Sequence, residues 1–127
     1  MRVRCGTDII EVNRMEKSLA SNARFAEKVF TEAEIEYCES KNAGRYESYA
    51  VRFAAKEALL KAMGVGMFAG AALTEIEIIN DAESGAPSVR LYGGAAEIYK
   101  GIGGASLSVS LSHTSHTAIA MVVMLCE

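Results

Sequence analysis

Glu57 and Lys61 stand one helical turn apart in the stretch Arg45–Met63, which holds no Gly or Pro and is rich in strong helix formers. It predicts the longest helix of the chain, and Gly64 is placed to end it. At about 100° per residue, Val51, Ala55, Ala58, Leu59 and Ala62 share one face, which predicts a packing stripe. Arg45, Arg52 and Lys56 gather on a second face, and Glu57 and Lys61 lie on a third, beside Ala50 and Ala54. Cations one turn apart suit phosphate oxygens, and a carboxylate suits a hard divalent cation. The small alanines leave room for something large to approach. Together these residues describe a site for a polyphosphate and its magnesium. A plainer arrangement uses the same residues: solvated Arg and Lys, with Glu57–Lys61 as an i,i+4 pair worth only a few tenths of a kcal/mol.

Asp8 is the second candidate ligand, because an acid near the end of an apolar strand costs desolvation energy unless it is paired or metal-bound. Its alternative is to cap the helix that follows. His113 lies in the turn HTSHT; with His116 and three distant cysteines it makes a poor zinc set. The Gly-rich stretches GVGMFAG and GIGG lack the Gly-Lys-Ser/Thr ending of a phosphate-binding P-loop and read as loops. If Glu11 to Phe30 were one helix, Arg14, Lys17, Arg24 and Lys28 would fall within roughly a quarter-turn of each other. Such a basic stripe suits an acidic protein partner, or else is a solvated face, and the Ser21-Asn22 break works against the single helix.

These side chains need elements to hold them. Val3 to Ile10 predicts a first strand, Glu11 to Ala20 a helix, and Asn22 the cap of a short helix through Phe30. Thr31-Glu32-Ala33-Glu34 has the form of a capping box, so a helix is expected from Glu32 to about Lys41. Beyond the long helix, residues 64–72 predict a loop. Strands are expected at 75–80 and 88–92, a short helix over Gly94–Ile102, and strands at 106–112 and 117–125. The last is almost continuously apolar, as expected deep in a sheet or at a subunit contact. Helices in the first half and strands in the second predict a single α+β domain over 1–127.

The 127 residues carry a net charge of −3, which argues against general nucleic-acid binding. Half of them are hydrophobic, enough for a core, yet a chain this short gains from oligomerisation. Cys5, Cys38 and Cys126 form no paired spacing, which fits a reducing cytosol. Neither a signal peptide nor a membrane-length apolar run is evident. A cytoplasmic protein with no membrane role is expected.

The chain resembles the holo-acyl carrier protein synthases, the small bacterial type of 4′-phosphopantetheinyl transferase. Three blocks carry the resemblance: Gly6-Thr7-Asp8-Ile9 through Glu11 to Arg14; Arg52-Phe53-Ala54-Ala55-Lys56-Glu57-Ala58 with Lys61-Ala62 and Gly64; and Ser110-Leu111-Ser112-His113-Thr114 with Ala118 and Ala120. Gly85-Ala86-Pro87 fits the family's Gly-x-Pro turn, and Cys5 departs from it mildly where a plain apolar residue is usual. The resemblance implies an antiparallel sheet packed with a long helix and shorter helices. It implies that Asp8 and Glu57 hold magnesium, with manganese able to replace it, together with the coenzyme A pyrophosphate. Arg52 and Lys56 would lie near coenzyme A phosphates, Lys61 beside the reacting phosphate, and His113 at the phosphate end. Arg14 and Arg24 would grip the acidic helix of an acyl carrier protein. A homotrimer with active sites between subunits would be expected. The implied reaction is attack of a carrier-protein serine on the β-phosphorus of coenzyme A, releasing 3′,5′-ADP, with Glu57, Asp8 or a metal-bound water as base. Two rivals stand beside it: a non-catalytic carrier-protein-binding module of the same fold, and an unrelated oligomeric α+β protein whose charged helix is merely solvated.

Overall fold

A computed structural model describes residues 1–66 and 70–127. The chain runs β1 (Arg2–Glu11), α1 (Val12–Ser21), α2 (Phe25–Val29), α3 (Glu32–Glu39), α4 (Arg45–Met63), β2 (Ile76–Asn80), β3 (Pro87–Leu91), α5 (Gly93–Gly101), β4 (Gly104–His113) and β5 (Thr117–Cys126). The expected α+β class holds, and so do the bounds of the long helix. Gly64 ends α4 in the left-handed region at φ 76°, where a side chain would be strained. Part of the expected 64–72 loop, residues 67–69, lies outside the described residues. GIGG is a connector: Gly101 closes α5 and Gly104 opens β4.

The strands form an antiparallel sheet in the order β1-β5-β4 and a separate β2-β3 hairpin. The apolar C-terminal strand is therefore the centre of its sheet, paired on both edges. One face carries Ala118, Ala120, Val122 and Met124 into the core against α4. The other leaves Val3, Ile9, Ile119, Met121 and Val123 exposed. Strand alternation assigns the two sets, since neighbouring side chains point to opposite faces.

Helix α4 crosses the inner face at very close range. A Cβ on Gly6 would collide with the Ala58 carbonyl oxygen and come within 2.8 Å of the Ala62 amide nitrogen. Arg4 Nε, on the same strand, donates to the Ala62 carbonyl at 2.7 Å. The approach puts residue 8, two places along β1, beside the middle of α4. Both groups that Gly6 faces are backbone and have little room to give, so Gly6→Ala should cost about 3 kcal/mol in chemical denaturation. A loss within a few tenths would show that the strand can back away from the helix.

The expected break forms: Asn22 leaves helical geometry (φ −139°, ψ 108°), so Arg14 and Lys17 lie on α1 while Arg24 and Lys28 belong to the α2 segment, and the conditional single basic helix does not arise. Two other expectations fail. Asn22 does not cap the second helix, whose N-cap is Arg24; its Oδ1 instead accepts from the Arg24 amide at 3.0 Å. Ala50 and Ala54 are fully buried among protein side chains. Their small size lets neighbouring elements close on α4; it does not open space for a ligand.

Candidate active site

Asp8 lies within β1, in register with Ala120. It does not cap α1, whose N-cap is Glu11. Alternation along β1 turns Asp8 to the inner face with Gly6 and Ile10, and the tight Gly6 contact brings it to α4. Lys61, on the last turn of α4, donates to Asp8 Oδ1 at 3.1 Å and to the Thr7 carbonyl at 2.9 Å. The i,i+4 pairing of Lys61 with Glu57 is thus not the contact the ammonium makes. Glu57, one turn back, lines the same cleft as Asp8, and its Oε1 is buried without a hydrogen-bond partner. Burial pushes the Glu57 carboxyl above the usual carboxylate range, the Asp8 charge adds to the shift, and Lys61 offsets part of it.

An orphaned, buried carboxylate oxygen in a cleft that holds a second carboxylate is costly in isolation. A divalent cation would repay that cost, and two carboxylates with oxygens left to substrate phosphate and water are the donor set magnesium commonly takes. The residues therefore fit the metal. Among the described residues no third His, Cys, Asp or Glu joins them.

The cleft, about 330 Å³, is walled by Ile9, Ile10, Met15, Phe25 and Phe53, with Ser18 and Arg14 as further polar lining. Sequence reasoning missed this apolar wall. Phe53 adjoins Arg52 in the long-helix block and Phe25 follows the Asn22 break, but neither position carries a periodic signal that separates cleft from core. Arg14 is exposed on the cleft and makes no ion pair with Asp8 or Glu57 among the described residues. Arg24 is exposed just before α2 and does not line the cleft.

Lys56 is the clearest correction. Its ammonium has no solvent exposure and donates to Glu34 Oε1 at 2.7 Å and to the carbonyls of Ile76 at 2.6 Å and Leu73 at 3.0 Å. All three N–H donors are used, so none is left for a coenzyme phosphate. Burial lowers its pKa, with Glu34 opposing. Glu34 is equally buried and also accepts from the backbone of Thr31 and of Ile78 at 2.8 Å each. The predicted capping box is present, and its glutamate doubles as the counter-ion of Lys56. Arg52 is 2% exposed: its guanidinium donates to Ser48 and to Asn80 Oδ1 and stacks on Tyr37 at 4.2 Å, leaving only Nε without a partner. The helix period puts Arg52 and Lys56 on one face correctly, but α3 and β2 cover that face.

His113 ends β4 in register with Ala118, itself paired with Ile10. It is exposed, its Nδ1 lies 3.3 Å from the Thr114 carbonyl, and two strand spacings, roughly 10 Å, separate β4 from β1. Within one chain the fold brings together Asp8, Glu57 and Lys61, and His113 stands apart from them.

The chain is 54% identical over 125 residues to the holo-[acyl-carrier-protein] synthase of Ruminiclostridium cellulolyticum, covering 98% of this chain and 92% of that one. Its fold matches the ACPS–CoA complex of Chronobacterium ammoniagenes with a TM-score of 0.88 at 26% identity, over 100% of this chain and 99% of the other. It also matches a Bacillus anthracis holo-(acyl-carrier-protein) synthase in complex with CoA (3′,5′-ADP), with a TM-score of 0.80 at 34% identity, over 98% and 96% of the two chains. The family model of the 4′-phosphopantetheinyl transferases matches residues 4–118, and with Asp8, Glu57 and Lys61 converging inside that span the chain belongs to the 4′-phosphopantetheinyl transferase superfamily.

Proposed function

We propose that this chain is a holo-acyl carrier protein synthase that moves the 4′-phosphopantetheine group of coenzyme A onto a serine of an apo-acyl carrier protein, with magnesium at Asp8 and Glu57. One observation carries the reading: two carboxylates 49 positions apart in the chain line one cleft beside a lysine, and one carboxylate oxygen is buried without a partner. Whole-length likeness to synthases, including structures that hold CoA, supports it.

In the reaction the serine oxygen forms a bond to the β-phosphorus, and the bond from that phosphorus to the 3′,5′-ADP oxygen breaks. The obstacle is crowded negative charge, so positioning and electrostatics dominate. Asp8 and Glu57 would hold the magnesium, which when bound neutralises phosphate charge and polarises a phosphoryl oxygen. Lys61, exposed and bonded to Asp8, brings a further positive charge to the phosphates. The wall of Ile10, Met15, Phe25 and Phe53 keeps the local dielectric low, which strengthens each of these interactions. Arg14 presents its guanidinium at the same cleft to an acidic helix of the carrier, with Arg24 as a peripheral contact. His113 is assigned to coenzyme A binding in the assembled enzyme.

The assembly is a homotrimer in this reading, with sites completed between neighbouring copies. Its support is the outer sheet face, where Val3, Ile9, Ile119, Met121 and Val123 form an apolar surface on a short chain that gains from burying it. A cytoplasmic location fits the three free cysteines. No described helix is long and apolar enough to cross a membrane.

Incubation with coenzyme A, magnesium and apo-acyl carrier protein tests the function. The carrier should gain the mass of one phosphopantetheine, with 3′,5′-ADP released. Binding of the carrier with no mass gain would favour the non-catalytic module. Arg14→Ala should raise KM for the carrier by about fivefold while coenzyme A affinity changes less than twofold, since a rim charge of this kind contributes roughly 1 kcal/mol. Equal loss for both substrates would remove Arg14 from the carrier contact.

A further inference from the structure

We propose that Lys61 is a resident counter-ion of the site, held on Asp8 until the divalent cation and the polyphosphate arrive, and that its displacement couples the binding of the two. This inference rests on the metal assignment above and adds a role for Lys61 before substrate is present.

The geometry is asymmetric. Of the two carboxylates, Asp8 is paired, with Lys61 Nζ at 3.1 Å from Oδ1, while Glu57 Oε1 has no partner. The Lys61 ammonium spends a second donor on the Thr7 carbonyl at 2.9 Å, so it is docked by two bonds on one stretch of β1. A hard cation shared by Asp8 and Glu57 needs the carboxylate that Lys61 occupies. A second positive charge at hydrogen-bond distance from the metal's own ligand would oppose it. With Lys61 on Oδ1, a cation on the same carboxylate keeps it there only against that repulsion, so cation binding favours its release.

Leaving is easy. The Lys61 side chain is 55% exposed and that of Asp8 is 19% exposed, and exposed pairs of this kind are weak. A lysine stem carries a compact charge on rotatable bonds and can be re-aimed without moving the helix. Released from Asp8, the ammonium regains a strong partner only when phosphate oxygens are in the cleft. The cation alone thus displaces Lys61 for nothing, whereas cation and polyphosphate together give it a new anion. Each ligand then raises the affinity for the other by the same factor.

The test is titration of Mn2+ into the coenzyme-free enzyme, with free Mn2+ read by electron paramagnetic resonance, for wild type and Lys61→Met. Lys61→Met keeps the aliphatic stem at a half-exposed position, and its melting temperature is checked alongside. It should bind Mn2+ about tenfold more tightly than wild type. The increment that coenzyme A adds to Mn2+ affinity should shrink by a similar factor. Arg14→Gln serves as the charge control, since Arg14 lines the same cleft without pairing with either acid. Its Mn2+ affinity should stay within about twofold of wild type. Unchanged or weaker Mn2+ binding by Lys61→Met, or equal tightening by Arg14→Gln, would overturn displacement. Adding Asp8→Asn to Lys61→Met separates the two layers. Loss of tight Mn2+ binding there keeps the metal on Asp8 whatever Lys61 does, and retained tight binding would remove the metal from Asp8 and the inference with it.

Discussion

Glu57→Gln should lower phosphopantetheine transfer by about 10³-fold while the protein stays folded and still melts cooperatively. The substitution keeps the volume of the side chain and removes the charge that faces Asp8. Stability should hold or rise slightly. The Glu57 carboxyl sits above its ordinary range in the folded chain, chiefly through burial, so folding at neutral pH already works against its ionised form. For an acid with a raised folded pKa, that penalty appears as pH climbs through the unfolded value and is absent in acid. The melting temperature of Glu57→Gln should therefore exceed that of wild type at neutral pH and converge with it near pH 3. The rate is read by mass spectrometry of the carrier, and stability by calorimetry across pH. Asp8→Asn should produce a similar loss of rate, and the double variant little more than either alone, because the two acids act as one unit. Transfer at wild-type speed by Glu57→Gln would remove the metal site from the mechanism.

Lys56→Ala should cost about 3–5 kcal/mol of folding stability, the usual result of deleting one partner of a buried ion pair. Glu34 would keep its backbone donors from Thr31 and Ile78 but lose the charge that neutralises it. The carbonyls of Leu73 and Ile76 would be left without their ammonium. A paired change, Lys56→Met with Glu34→Gln, should recover a substantial part of the loss, a coupling that denaturant titration of the double-mutant cycle would measure. If Lys56→Ala instead weakened coenzyme A binding with stability intact, the residue would be a ligand contact after all.

Lys56 also shows where the sequence stops being informative. Period and propensity gave α4 its residues, its last turn and its Gly64 cap, because those depend on local backbone energetics. The Thr31–Glu34 box formed for the same reason. Which face of α4 meets solvent is a tertiary matter. Arg52 and Lys56 share a face as the helix period requires, yet α3 and β2 close over it. A charged face that satisfies itself internally has the same spacing as one that binds phosphate. Ala50 and Ala54 carry the same ambiguity, since small side chains serve close packing and ligand access equally well. The convergence of Asp8 with Glu57 was legible only through the resemblance, because it depends on Gly6 letting β1 press against α4. The apolar wall of the cleft drew on Met15, Phe25 and Phe53 from three helices, and no single segment announces it.

The central position of β5 sets an order on biosynthesis. Among the described residues, the strand that carries Asp8 has its only sheet neighbour in β5; the Thr7 hydroxyl, for example, donates to a carbonyl 113 residues further on. At ribosomal speeds of roughly 5–20 residues per second, on the order of ten seconds pass between the two strands. During that interval β1 exposes an unpaired backbone edge and an uncompensated acid. A nascent chain lacking β5 could hold neither the helix against the strand nor the two carboxylates together, so the enzyme should gain activity in a single late step of its synthesis.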